Sequence, residues 1–268
     1  FGIPRGKVTY VGTTDTKYTG DPKEVKTSLI DALYLISAVN HMFPDVELEL
    51  KDIQSSWAGL RPLIYEEGKT AGELSRKDEI FESATGLITI AGGKLTGYRK
   101  MAERTVDLIE KKISKDEKKA LRPIQTESIY LTEDPFESYQ EVIKFIQKIW
   151  PELKTFEFDK KDVTSLVQRY GKQTESILEK FRELTDKDPE IRLAKAELWF
   201  TIQNEMVAEP LDFFERRTGR LYFNALSIEK LIKPVLSEFA KVFKWDEDTV
   251  TKQRDILENA LQEIRTFK

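Results

Sequence analysis

The sequence has no cysteine and a single histidine, His41, in 268 residues. The first absence removes disulfides, thiolate nucleophiles and cysteine metal ligands together, which fits a reducing compartment. The second argues against a histidine metal centre, so no metal site is expected. No apolar run approaches the roughly 20 residues of a membrane-spanning helix. Basic residues number 43 against 47 acidic ones, for a net charge of -4, and they are scattered along the chain. That balance argues against nucleic acid as the principal partner. What is present, 40% hydrophobic and 34% charged residues, describes a helix-rich globular chain with enough length for two cores. It opens Phe-Gly-Ile-Pro without methionine or polar lead, as though already inside a strand, and reads as a piece of a longer protein.

The stretch Thr85 to Lys112 organises the rest. Leu87 to Ala91 is a short apolar run that suits a strand buried on both faces. Gly92-Gly93 breaks it, and a helix follows with Thr96 as candidate N-cap and apolar positions at Met101, Ala102, Val106, Leu108 and Ile109. Lys94 sits in the turn. Free N–H groups, a positive helix end and a lysine make an anion site, but an ordinary strand-to-helix connection has the same pattern. Neither common phosphate motif is met: a Walker loop needs glycine where Ile88 stands, and a dinucleotide fingerprint needs one where Lys94 stands.

Ahead of that stretch, Phe1 to Pro4 and Val8 to Gly12 read as a hairpin around Arg5-Gly6-Lys7. Gly12-Thr13-Thr14-Asp15 reads as a Thr/Asp turn, and Asp21-Pro22 as the start of a helix ending at His41, a packing residue. Val46 to Ile53 alternates like a half-exposed strand. In Ser56-Trp57-Ala58-Gly59-Leu60-Arg61-Pro62-Leu63, Arg61 is held between an apolar strand end and a proline, which suits bidentate anion contact or a structural acid. Glu66 to Leu74 is a polar loop, and Ser75-Arg76 precedes a strand at Glu79 to Ser83.

Beyond the charged segment after Lys111, strand signals nearly vanish. Helical patterns cover Pro135–Ile149, Lys161–Tyr170, Thr174–Leu184, Pro189–Met206, Pro210–Arg216, Ala225–Phe243 and Glu247–Phe267. The aromatics Trp150, Trp199, Phe200, Phe213 and Phe214 are expected in its core. Glu205 or Asp212 is expected to hold Arg216 or Arg217.

Taken together, Ile3-Pro4 with Val11-Gly12-Thr13-Thr14-Asp15 and Gly20-Asp21-Pro22, then Ser56 to Leu63, Ser75-Arg76 and Ala91 to Lys100 resemble one family. It is that of the FAD-dependent sn-glycerol-3-phosphate dehydrogenases and α-glycerophosphate oxidases. Tyr170-Gly171, Glu205-Met206 and Arg216-Arg217-Thr218 are similar to its C-terminal domain. The resemblance implies oxidation of glycerol 3-phosphate to dihydroxyacetone phosphate with FAD, electrons passing to quinone or to oxygen. The short loop at Glu66 to Leu74 favours the dehydrogenase branch. By motif, Arg61 stands near the substrate hydroxyl and the flavin as the catalytic arginine, Arg76 at the phosphate, and Lys94 at the phosphate and flavin edge, with Gly93, Lys94, Leu95 and Thr96 contacting the cofactor.

The resemblance also implies a cytoplasmic protein, peripheral on the membrane face, whose fold is an α/β (α+β) segment of a flavin- and substrate-binding sheet domain followed by an all-α domain. We expect residues 1–115 to form the first, 116–127 a linker and 128–268 the second. The Gly-x-Gly-x-x-Gly unit for the ADP half of FAD is missing from this sequence, so the chain alone is expected to lack FAD and to be inactive. The alternative is a non-catalytic interaction or scaffold fragment with a helical docking domain.

Overall fold

The computed structural model describes residues 1–61, 63–64, 67–68, 77–117 and 123–267. They form two compact units that do not follow the chain in order: residues 1–14, 25–58 and 134–268 make one, and residues 15–24 and 59–133 the other.

The larger unit is mainly helical: α3 (Tyr139–Lys154), α4 (Lys160–Tyr170), α5 (Thr174–Glu183), α6 (Pro189–Asn204), α7 (Pro210–Asp212), α8 (Arg220–Phe223), α9 (Ala225–Phe243) and α10 (Glu247–Glu263). A π-turn, Phe213–Arg217, follows α7. Four of these helices start on a side-chain cap: Ser138, Asp159, Asp188 ahead of Pro189, and Asp246 each accept from an amide two or three residues on. The cap gives an orphan N–H its acceptor and stabilises the helix by about 1 kcal/mol.

Two buried clusters form its core. Phe213, Phe214, Leu231 and Phe239 lie in one; Ile149, Leu166, Ile177 and Phe181 lie in the other. Helix α6 serves both, sending Ala194 and Leu198 to the first and Leu193, Ala196 and Phe200 to the second. A helix between two cores must be apolar on nearly every side rather than along one stripe.

The same unit contains a hairpin of β1 (Gly2–Arg5) and β2 (Val8–Val11), in the expected antiparallel register with Gly2 opposite Val11, and helix α1 (Leu29–Met42). The hairpin and Trp57 pack on α8: Tyr10 and Trp57 meet the Phe223 ring edge-on at 5.7 Å each. The Arg5 guanidinium sits 4.3 Å above that ring. Ser55 Oγ donates to the Tyr222 carbonyl at 2.6 Å, and the Ser56 amide to that of Ile264 at 2.8 Å.

Several local expectations need correction. Helix α1 starts at Leu29, with Ser28 as N-cap, because Asp21 closes a turn instead. Its carboxylate accepts from the Lys23 amide, its carbonyl from the Glu24 amide, both at 2.9 Å. No strand forms at Val46 to Ile53. The Asn40 side chain takes both backbone groups of Leu48, at 2.8 and 2.9 Å, and Glu49 with Asp52 caps a 3-10 turn at Leu50–Asp52. Helix α3 continues through Pro151 to Lys154, where Leu153 is buried and its burial offsets the missing amide. Of the five aromatics, Phe200, Phe213 and Phe214 are buried, whereas Trp199 is partly exposed under Lys180.

Candidate functional site

The smaller unit holds β3 (Asp78–Glu82) and β4 (Ile88–Gly92), an antiparallel pair with Asp78 opposite Gly92. A 3-10 turn at Leu95–Gly97 leads into α2 (Tyr98–Glu117). The expected strand is present, but it is not buried on both faces: Ile88 and Ile90 are half-buried and Thr89 between them is exposed. Among the described residues it pairs with β3 alone, so alternation with one covered face is the outcome. Thr96 lies inside the 3-10 turn and does not cap it; Lys94 holds the N-cap position, without a side-chain cap bond.

Gly92 and Gly93 reach this geometry through φ values of +76° and +85°. A Cβ on Gly92 would lie 2.6 Å from the Lys77 carbonyl oxygen, and one on Gly93 would lie 2.7 Å from Met101 Sδ. The turn therefore seats against the hairpin and against α2. Arg104 pairs with Asp78 and Lys112 with Glu82, which ties α2 along the same hairpin. Arg99 and Lys100 both reach Glu103 at 2.8 Å. Those two partners hold the Glu103 carboxyl below the usual range, the Lys100 hydrogen bond first.

This scaffold presents Lys94, Leu95 and Thr96 outward, all three exposed. Gly97 faces open space. The first amides of a helical turn have no acceptor one turn back, so the N–H groups at the start of this turn are available to an incoming acceptor. Lys94 makes no ion pair among the described residues, and its ammonium is available to an anion. The arrangement can therefore bind an oxygen-rich, negatively charged group in a turn whose backbone is fixed by packing.

Gly92→Ala is expected to loosen this turn. The left-handed backbone costs a non-glycine residue about 1 to 2 kcal/mol, and the added methyl meets a backbone carbonyl that cannot turn aside. Amide exchange in β3 and β4 should accelerate on the order of tenfold or more. Unaltered protection of the hairpin would show that the turn tolerates a side chain.

Arg61 lies in the same unit. Its Nη1 is 3.3 Å from Asp15 Oδ2, so the second of the two alternatives read for this arginine, an acid partner, is supplied by the last residue of the turn read at Gly12 to Asp15. Sequence reasoning gave Asp15 no role at the site, although it closes the Thr/Asp turn and lies in one of the segments that carry the resemblance. Three residues on from Arg61, Ile64 Cδ1 comes within 3.2 Å of the place a Gly92 Cβ would take. The arginine segment thus passes beside the glycine turn. Arg76, and most of the loop at residues 66–74, lie outside the described residues.

The remaining charged pairs are in the helical unit. Arg216 reaches Asp212 at 2.6 Å, and the Arg217 guanidinium is 3.8 Å from the Glu205 carboxylate while donating to the Glu205 carbonyl at 2.8 Å. These are the partners the sequence suggested. The most buried charge was not among them. Glu197, 1% exposed, accepts from Arg169 at 2.7 Å and from the Tyr170 hydroxyl at 3.1 Å, and also pairs with Arg220. Among the described residues no cluster of acidic or histidine side chains could hold a metal, and no helix is long and apolar enough to cross a membrane.

Residues 136–250 match the family profile of the C-terminal domain of alpha-glycerophosphate oxidase. Aerobic glycerol-3-phosphate dehydrogenase of Bacillus subtilis is 40% identical over 98% of this chain, and that of Staphylococcus aureus is 38% identical over 99% of it. Each alignment covers 48% of the relative, so the chain spans about half the length of the curated relatives it matches. The crystal structure of the glycerol-3-phosphate dehydrogenase from Bacillus halodurans complexed with FAD superposes with a TM-score of 0.82 and 37% identity, over 99% of this chain and 51% of that one. By profile, sequence and fold, the chain is similar, over the part it spans, to the glycerol-3-phosphate dehydrogenases and α-glycerophosphate oxidases.

Proposed function

We propose that this chain supplies the substrate-phosphate and flavin-edge part of an FAD-dependent enzyme that oxidises sn-glycerol 3-phosphate to dihydroxyacetone phosphate. The observation that carries the reading is the glycine turn: an exposed lysine and free amides on a fixed backbone, in a chain similar along its length to half of such dehydrogenases. In this reading residues 1–115 belong to the FAD- and substrate-binding domain of the whole enzyme, although residues 1–14 and 25–58 pack here with the helical unit; 116–127 link onward, and 128–268 form the helical domain.

The residues fit the edge of a flavin. Gly92 and Gly93 have no room for a Cβ on their packed side, while Lys94, Leu95 and Thr96 are exposed and a Cβ on Gly97 would meet nothing within 4 Å. Gly93, Lys94, Leu95 and Thr96 would hold its polar rim through their amides. When bound, FAD supplies the two-electron acceptor that converts the secondary alcohol to a ketone. Arg61 orients the hydroxyl being oxidised by donating to its oxygen. Lys94, together with Arg76, neutralises the phosphate and fixes the substrate's far end, which limits the orientations open to the reacting carbon.

The relatives' names as aerobic dehydrogenases support the dehydrogenase branch over the oxidase. Electrons then leave to membrane quinone, oxygen being the acceptor of the oxidase branch, and the protein works on the cytoplasmic side with peripheral membrane contact.

Lys94→Ala tests the site. A lost charge-assisted contact is worth about 1.5 to 3 kcal/mol, so the KM for glycerol 3-phosphate of the flavin-loaded enzyme should rise on the order of 10- to 100-fold, with flavin content changing far less. Unchanged kinetics would reject the assignment of Lys94.

A further inference from the structure

We propose that Asp15 is a positioning residue for Arg61, and through it for the substrate carbon that is oxidised. The inference rests on the placement of Arg61 at the substrate. Asp15 and Arg61 are far apart in sequence, yet their side chains meet at 3.3 Å, and they are 41% and 36% exposed respectively. A pair this open adds only about 0 to 1 kcal/mol to stability, so stability alone gives little reason for it. What such a pair does well is select one orientation of a planar guanidinium. Arg61 has five N–H donors in a rigid fork, and drawing its Nη1 toward a carboxylate biases the direction in which the others point.

The main chain is fixed at the same place. The Leu63 amide donates to the Arg61 carbonyl at 2.9 Å, a tight turn, and Ile64 just beyond it packs against Gly92. Arg61 is thus constrained by Asp15 at its head and by the glycine turn through its own backbone. The carboxylate also balances the guanidinium charge. Arg61 then acts as an aimed donor toward a neutral hydroxyl, and the charge that meets the phosphate comes from Lys94 and Arg76. Loss of Asp15 should therefore lower the rate of the chemical step more than substrate affinity.

A double-mutant cycle in the flavin-loaded enzyme tests this, using Asp15→Ala, Arg61→Ala and the double variant, with Asp15→Asn as the conservative rescue. Asp15→Ala should lower kcat about tenfold, the scale of a modest misorientation, with KM changing less than about threefold. The double variant should be close to Arg61→Ala, because the effect proposed for Asp15 on the chemical step runs through the arginine. Asp15→Asn, which keeps an oxygen acceptor, should recover most of the loss. Thermal unfolding of each variant guards against a folding defect, and Asp15→Asn provides the kinetic comparison should the alanine variant not fold. Full activity in Asp15→Ala beside a damaged Arg61→Ala would overturn this inference and leave the arginine's role standing. Additive losses would overturn it too. Full activity in Arg61→Ala would overturn the site reading itself and the inference with it.

Discussion

Given excess FAD, glycerol 3-phosphate and an artificial electron acceptor, the 268-residue chain alone should turn over nothing above background and should elute colourless from gel filtration. In the proposed reading the glycine turn would offer FAD only a few amides and one lysine at the flavin edge. The sequence contains no Gly-x-Gly-x-x-Gly unit, whose helix N-terminus is what binds a pyrophosphate tightly. Each missing charge-assisted hydrogen bond is worth about 1.5 to 3 kcal/mol. Several together move a nanomolar site toward the millimolar range. Adding the half of a matched relative that this chain does not span, as a separate polypeptide, should bring both colour and turnover. A yellow preparation of the chain alone, or turnover without the added half, would show that its residues bind the cofactor without the pyrophosphate contacts.

The second large effect is expected at Glu197. Its carboxylate lies on α6, the helix shared by the two cores, and gathers Arg169 and Tyr170 from α4 and Arg220 at the start of α8. Arg220 is 12% exposed and Arg169 27%. Removing the negative charge leaves two guanidinium groups facing one another with little water to screen them. Breaking a buried pair in this way costs about 3 to 5 kcal/mol, so Glu197→Gln, nearly the same shape, should lower the stability of the helical unit by that amount. Denaturant unfolding followed by amide exchange in α4 and α6 is the measurement; a loss below about 1 kcal/mol would mean that the guanidinium groups find other partners.

The pH dependence has a definite sign. Burial alone would raise the Glu197 pKa, but the charges of Arg220 and Arg169 outweigh it and hold the carboxyl below the usual glutamate range. The unfolded chain therefore takes up a proton there first as pH falls. Stability from this site is complete above the ordinary glutamate pKa and is lost as pH falls through the lower folded value. Tyr170 is pushed well above its ordinary value, chiefly by burial and then by the Glu197 charge, and stays a neutral donor throughout. Glu197→Gln should accordingly remove part of the acid-induced loss of stability.

What the sequence determined by itself is the local part of this structure. Asp188-Pro189 and Asp159 mark helix starts because a cap acts within three residues. Gly92-Gly93 marks the turn after β4 because only glycine tolerates those dihedrals with a carbonyl and a thioether at that distance. Arg216 and Asp212 could be paired because they stand four residues apart. The same local rules misplaced the start of α1 and invented a strand at Val46. Asp21 can cap a turn as readily as a helix, and the Asn40 side chain took the bonds that a strand partner would have taken. Tertiary structure alone decided that α6 separates two cores and so buries Glu197, that residues 1–14 and 25–58 join the helical unit, and that Asp15 meets Arg61. Those pairings form between residues distant in sequence, where no periodicity or cap reaches, and their strength comes from burial and charge that exist only once the chain has closed on itself.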